Sequence, residues 1–140
     1  MEKDTNAIKN SVFALKKSFE IFMNDNLKPF KISSAQAKFL FILYENKKLR
    51  QSTLSKLAQC DKSYTHRVVK ELLEKKLITI ENQWLLLTED GKNLAKVFEK
   101  HLLNWHKKIV ENIPLSQLKI VKNVLEEISR NALKIINNLE

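Results

Sequence analysis

Apolar positions recur at helical spacing along most of the chain and give way to a strand pattern only once. From Ile8 the sequence steps by four and three through Val12, Leu15, Phe19, Phe22 and Asn26, with Phe13 and Met23 beside that seam, which predicts a first helix over residues 5–27. Pro29 ends it. Ser33 or Ser34 is the N-cap of a second helix running to about Tyr44, with Phe39, Leu40, Ile42 and Leu43 inside. Lys47 and Lys48 fall in a loop, and Leu49-Arg50-Gln51 reads as a one-rung strand. Beyond residue 87, Thr88 caps a long helix with Leu94, Phe98, Leu102, Trp105 and Ile109 as its stripe. Gly91 lies in its first turn, where a glycine costs little. Pro114 breaks the chain again, and Leu118, Val121, Leu125, Ile128, Ala132, Ile135 and Leu139 then step by three and four without interruption.

The stretch from Ser52 to Leu87 organises the rest. Ser52 is a candidate cap for a short helix whose stripe is Leu54, Leu57 and Ala58. Asp61 is the next cap. After it Val68, Val69, Leu72, Leu73 and Leu77 recur at helical spacing. On a wheel of 100° per residue, Val68, Val69, Leu72 and Leu73 cluster on one side with Thr65 among them. Ser63, Arg67, Lys70 and Glu74 point the other way, flanked by Tyr64 and His66. The exposed face thus opens with hydroxyl, guanidinium and ammonium groups, which bind phosphates and read base edges in a major groove. An ordinary solvated helix face has the same look, so the neighbouring segments decide between the two.

Directly after this helix comes I-T-I-E-N-Q-W-L-L-L. With Asn82-Gln83 as a two-residue turn, Glu81 faces Trp84, Ile80 faces Leu85, Thr79 faces Leu86 and Ile78 faces Leu87, so Ile78, Ile80, Leu85 and Leu87 share the core side of a hairpin. Trp84, at the tip, can stack on a sugar or base or cover Leu86 or a neighbouring loop, and the structural role is the favoured one. Helix, turn, helix and hairpin together are a winged helix-turn-helix. The pieces Q-A-K-F-L-F-I-L from Gln36, L-S-K-L-A from Leu54, D-K-S-Y-T-H-R from Asp61, L-L-E-K-K-L-I from Leu72 and L-T-E-D-G-K from Leu87 resemble the multiple antibiotic resistance regulator (MarR) family over nearly the whole chain.

That resemblance implies a mainly α fold: a winged helix-turn-helix with long N- and C-terminal dimerisation helices and one short β-hairpin wing. In this chain it makes residues 1–140 a single MarR-like domain, 33–88 the winged lobe, and 5–27 and 89–140 the dimerisation helices. It further implies a homodimeric, DNA-binding transcriptional regulator whose DNA affinity is often changed by a small ligand or by oxidation. One departure stands out. Wings in that family usually run longer and carry an Asp-x-Arg near the tip, whereas Ile78 to Leu87 contains no Arg or Lys and a single charge, Glu81.

Composition narrows the class. One Gly and two Pro in 140 residues leave long stretches without breakers. No apolar run approaches the roughly 20 residues of a membrane span, and the start of the chain is polar, so a cytoplasmic location and no membrane partner are expected. The single cysteine fits a reducing compartment. The net charge is +9, and its distribution matters more than its size. Between residues 33 and 76 ten Lys/Arg stand against four Asp/Glu, so the excess lies on the helix-turn-helix segment, as a nucleic-acid footprint would.

Other chemistries find little support. His101 and His106 are five apart, on different faces of a helix, and with Cys60 and His66 they form no recognised ligand spacing, so neither a metal nor another cofactor is expected. With no glycine-rich phosphate loop and no short-range nucleophile–base pair, the chain is not read as an enzyme. Cys60 lies just before a helix N-terminus and near Lys62, a setting that activates thiols, but the favoured reading is a small buried residue in a tight turn, since free cysteines are so often buried. The leading expectation is a repressor that binds double-stranded DNA sequence-specifically on a pseudo-palindromic operator, as a homodimer and under a small-molecule effector of unspecified identity. Its expected DNA-binding residues are Ser63, Tyr64, His66, Arg67 and Lys70, with Lys56 and Lys62 as weaker phosphate contacts. The alternative is a winged-helix protein-interaction module that has lost or weakened DNA binding, motivated by the short uncharged wing.

Overall fold

A computed structural model of the chain describes residues 2–139; Met1, Glu140 and the side chain of Leu139, the last position of the expected C-terminal stripe, lie outside the described residues. The element order is α1 (Glu2–Leu27), a 3-10 turn (Lys28–Phe30), α2 (Ser34–Asn46), β1 (Lys48–Leu49), α3 (Gln51–Ala58), α4 (Lys62–Glu74), β2 (Ile78–Glu81), β3 (Trp84–Leu87), α5 (Glu89–Ile109) and α6 (Leu115–Leu139). It is a mainly helical winged helix-turn-helix with one small antiparallel sheet of order β1-β3-β2. The chain divides into two compact units, one up to Trp105 and one from His106 on.

The core of the first unit is drawn from the helices α1 to α5 and from the sheet. Met23 and Leu27 of α1, Phe39, Leu40 and Leu43 of α2, Leu54 of α3, Val68, Val69 and Leu72 of α4, Ile78 and Leu85 of the hairpin and Phe98 of α5 are all buried. The apolar seam of α1 is split. Phe19 packs edge-on against Phe98 and Trp105, and the Trp105 indole N–H donates to Ser18 Oγ at 3.2 Å. Ile8, Val12 and Phe13, roughly two to three turns earlier, are more than half exposed. His101 stands edge-on to Phe22, and burial, followed by the charge of Lys100, pushes its pKa below the ordinary histidine value.

Several boundaries differ from expectation for identifiable reasons. Ser33 caps α2 through a capping box with Gln36, as the sequence suggests, but α2 extends to Asn46 and α1 begins at Glu2. Ser52 is not a cap: α3 begins at Gln51, and Arg50 occupies the cap position with extended backbone and no side-chain cap bond. Strand β1 ends at Leu49, so the chain enters the helix two residues earlier than a Ser52 cap requires. The strand expected at Leu49-Arg50-Gln51 is therefore Lys48–Leu49, which takes Lys48 out of the loop. Leu57 is exposed, and Ser55 joins Leu54 and Ala58 on the inner face of α3 instead.

The hairpin register is the expected one at all four pairs, Ile78↔Leu87, Thr79↔Leu86, Ile80↔Leu85 and Glu81↔Trp84. Asn82 and Gln83 both have positive φ (50° and 70°), the requirement of a tight I′-type connection. One side chain departs from the pattern. Leu85 is buried, because β3 is flanked on both sides, but Ile80 on the outer strand β2 remains 51% exposed.

Helix α4 stops at Glu74, short of the expected Leu77. Lys76 turns left-handed (φ 58°), its N–H bonds Leu73 O, and the Leu77 N–H bonds Leu72 O, the pairing of a Schellman end. That end is docked on the start of α5. Thr88 Oγ1 donates to Lys76 O at 2.9 Å, the Thr88 N–H bonds Leu77 O, and Gly91 N–H donates back to Thr88 Oγ1. A Cβ on Gly91 would stand 2.0 Å from Leu77 O and 3.1 Å from its carbonyl carbon. The glycine is thus required by a backbone approach, which corrects its reading as a low-cost first-turn residue. Among the described residues, seven positive-φ positions are filled by Lys, Gln or Asn instead.

In the second unit, Pro114 O receives the N–H groups of Gln117 and Leu118 as α6 begins. Within α6, Val121, Leu125 and Ile128 are 44–50% exposed and Ile135 is 65% exposed.

Gly91→Ala is expected to lower the stability of the chain by about 1–3 kcal/mol, the usual cost of overpacking a rigid contact. A shifted midpoint in urea unfolding with an unchanged slope checks this; a variant as stable as the parent would contradict the close approach.

Candidate nucleic-acid interface

The angle between α3 and α4 is set by a small network of hydroxyls and backbone groups. Helix α3 ends left-handed at Gln59 (φ 55°), with Gln59 N–H bonding Lys56 O and Cys60 N–H bonding Ser55 O. Ser55 Oγ donates to Cys60 O at 2.7 Å. The Thr65 hydroxyl, fully buried, lies 2.8 Å from Asp61 O and 3.0 Å from Ser55 Oγ and shares its single proton between them. The Asp61 carboxylate caps α4 by accepting from Tyr64 N–H at 2.7 Å. Lys38 of α2 donates to Ala58 O at 2.8 Å, and the Cys60 thiol, half-buried, points to the same carbonyl at 3.3 Å. At the far end of α4, Gln36 donates to Glu71 at 2.7 Å and accepts from Lys75 at 2.9 Å. The recognition-type helix is therefore held at both ends by α2 and by its own turn.

This clamp leaves one face of α4 outside. Thr65, Val68, Val69 and Leu72 are buried, while Ser63, His66, Arg67, Lys70 and Glu74 are exposed, as the helical wheel predicts. Tyr64 is half-buried. Its ring packs near Phe39, and the Arg67 guanidinium stands 5.0 Å over its face. That contact holds the Arg67 fork in place beside the outer face. His66 Nδ1 lies 3.4 Å from Gln51 Nε2 at the start of α3. Lys56 and Lys62 are exposed near the turn between the two helices. The structure thus gathers Ser63, His66, Arg67 and Lys70 on one surface and places Tyr64 partly behind it.

Sequence reading missed a second group of cations. Strand β1 pairs with β3 as Lys48↔Leu86 and Leu49↔Leu85. Extending that register by one residue sets Arg50 opposite Trp84, and Lys48 on the neighbouring position of the same face. Both cations stand over the indole, Lys48 Nζ at 4.8 Å and Arg50 Cζ at 4.7 Å from its centre. Arg50 also donates to Gln83 Oε1 at the hairpin turn at 2.8 Å. An exposed cation–π contact of this kind contributes about 0.5–1 kcal/mol. The usable signal was the pairing of the Lys48–Leu49 strand, which an assignment shifted to Leu49-Arg50-Gln51 obscures.

A short helix, a hydroxyl-bonded turn, a second helix with a polar basic face and a three-stranded wing beside it define the winged helix-turn-helix class. A profile of the MarR family matches residues 32–87, the whole of this lobe. That match relates the winged lobe, residues 32–87, to the MarR family. Among solved structures it is similar to a MarR transcriptional regulator from Methanosarcina mazei Go1, at 26% identity over 93% of this chain and 99% of that one, with a TM-score of 0.83. Staphylococcus aureus MarR in complex with salicylate and kanamycin is 22% identical over 95% of each chain, with a TM-score of 0.84. A mutant MarR from E. coli complexed with operator DNA is 16% identical over 89% of this chain and 95% of that one, with a TM-score of 0.78. No curated protein matches the sequence significantly.

Thr65→Val keeps the shape of the buried side chain and removes its hydroxyl. It is expected to cost about 1–2 kcal/mol, because Ser55 Oγ and Asp61 O lose a buried partner. Denaturant unfolding measures the loss, and a cost near zero would show that the turn is held by packing alone.

Proposed function

We propose that this chain is a cytoplasmic transcriptional regulator, a repressor that binds double-stranded DNA sequence-specifically as a homodimer on a pseudo-palindromic operator. The observation that carries the reading is the outer face of the first turns of α4, where Ser63, His66 and Arg67 are exposed on a helix clamped at both ends. A helix-turn-helix presents such side chains to base edges in the major groove. Arg67 is assigned to base recognition, since its fork can bond a guanine bidentately. Lys70, one turn further along, is assigned to phosphate, with Lys56 and Lys62 as additional phosphate contacts. Ser63, Tyr64 and His66 complete the contacting set. The basic excess of residues 33–76 supports attraction to DNA, as does the likeness to an E. coli MarR complexed with operator DNA.

Dimerisation is supported by apolar surface. Ile8, Val12 and Phe13 on α1, and Val121, Leu125 and Ile128 on α6, recur at helix-packing spacing and are 44–62% exposed, more than isolated surface residues explain. A small-molecule effector belongs to the same reading, supported by the S. aureus relative in complex with salicylate and kanamycin. The alternative, an interaction module without DNA binding, drew its motive from an uncharged wing, and Lys48 and Arg50 now stand against that wing.

Arg67→Ala is expected to cost about 1–3 kcal/mol on the specific site and much less on random DNA, whereas Lys70→Ala should weaken both alike and lower the salt slope by about one unit. Anisotropy titrations on the chain's own upstream DNA and on a random duplex separate these. Equal loss on both duplexes for Arg67→Ala would defeat the assignment. For assembly, Leu125→Lys combined with Ile128→Lys is expected to convert a dimer to monomer or aggregate in light scattering. A parent chain that is monomeric at micromolar concentration would contradict the homodimer.

A further inference from the structure

The wing is charged from outside its own hairpin. Between Ile78 and Leu87 the hairpin offers only Glu81, yet its tip carries two cations contributed by the segment before α3. Lys48 and Arg50 flank the Trp84 ring, and Arg50 is further tied to Gln83. Both side chains belong to exposed residues, and among the described residues neither Lys48 nor Arg50 is paired with a carboxylate. The Arg50 guanidinium has five N–H donors and uses one on Gln83, which leaves the rest of the fork for a ligand.

The next residue connects this cluster to the recognition-type helix. Gln51, adjacent to Arg50, reaches His66 on the outer face of α4 at 3.4 Å. The Arg50–Trp84 and Gln51–His66 contacts thus fall on consecutive residues and link the wing tip to the N-terminal part of the α4 face. A duplex lying against that face would pass over both contacts. A guanidinium held over an indole and bonded to Gln83 has already given up part of the rotamer freedom that a free arginine would lose on binding.

Resting on the DNA-binding reading above, we propose that Arg50, assisted by Lys48, is the wing's contact to the phosphodiester backbone of the bound duplex, and that Trp84 is the positioning residue that holds it there. The ligand class is the anionic backbone of double-stranded DNA, so the contact adds affinity without sequence preference.

The test is a salt titration by fluorescence anisotropy on a random-sequence duplex of about 30 base pairs. The panel is the full chain, Arg50→Gln, Arg50→Ala, Lys70→Ala and a charge-matched control on α6, Lys122→Ala. Arg50→Gln removes the charge while keeping a hydrogen-bonding side chain of similar reach, so the test does not depend on Arg50→Ala folding. Both Arg50 variants are expected to bind several-fold more weakly, with a salt slope reduced by about one unit relative to the parent, while Lys122→Ala keeps the parent slope. Trp84→Ala should reproduce part of that loss, and Trp84→Phe, which restores an aromatic face, should recover it. The proposal is overturned if Arg50→Gln has the slope of the parent while Lys70→Ala lowers it, because DNA binding then stands without the wing contact. A parent chain with no salt-dependent affinity, and no response to Lys70→Ala, would instead defeat the DNA-binding reading itself, and this inference with it. If Trp84→Ala and Trp84→Phe both match the parent, the positioning role is refuted.

Discussion

The turn between α3 and α4 is the constraint on which the surface chemistry depends. Its buried hydroxyls, Ser55 and Thr65, bond to each other and to the carbonyls of Cys60 and Asp61. A buried hydroxyl without a partner is costly, so the pair fixes α3 and α4 at one mutual angle. Everything outward on α4 inherits that angle. The Asp61 cap, the Gln36–Glu71–Lys75 bonds and the Schellman end at Lys76 hold the rest of the helix. The Leu77 carbonyl, close enough to α5 to demand Gly91, carries the same rigidity into the next element.

That rigidity gives the exposed cations their meaning. A lysine on a loose loop is a solvated charge, whereas Arg67 over Tyr64 and Arg50 over Trp84 are held against aromatic faces in fixed directions. Gln51 and His66, the sequence neighbours of Arg50 and Arg67, stand 3.4 Å apart between the two arginine–aromatic pairs. The basic excess of residues 33–76 is in this sense ordered, and the arrangement links the packing of the turn to the proposed function.

Much of this was legible in the sequence because it rests on local rules. The caps at Ser33 and Asp61, the inner face of Val68, Val69 and Leu72, and the full register of the hairpin follow from side-chain chemistry and periodicity. What was not legible depends on contacts distant in sequence. Arg50 takes the cap position of α3 because β1 ends just before it, although Ser52 has the better capping side chain. Gly91 resembles an inexpensive helix residue until the Leu77 carbonyl is brought beside it. Ile80 follows the alternation of its strand, but that strand is the sheet edge and the residue stays half in water. Arg50 and Trp84 are 34 positions apart, and only the pairing of β1 with β3 makes them neighbours.

The central claim is that the α4 face and the wing beside it grip duplex DNA as a symmetric pair. Hydroxyl-radical footprinting of the chain's own upstream DNA tests this most directly. The account predicts two related protected half-sites whose centres lie about one helical turn, roughly 10 base pairs, or a whole multiple of it apart. Uniform cleavage at protein concentrations that saturate a random duplex, or a single protected site without a symmetry mate, would contradict it.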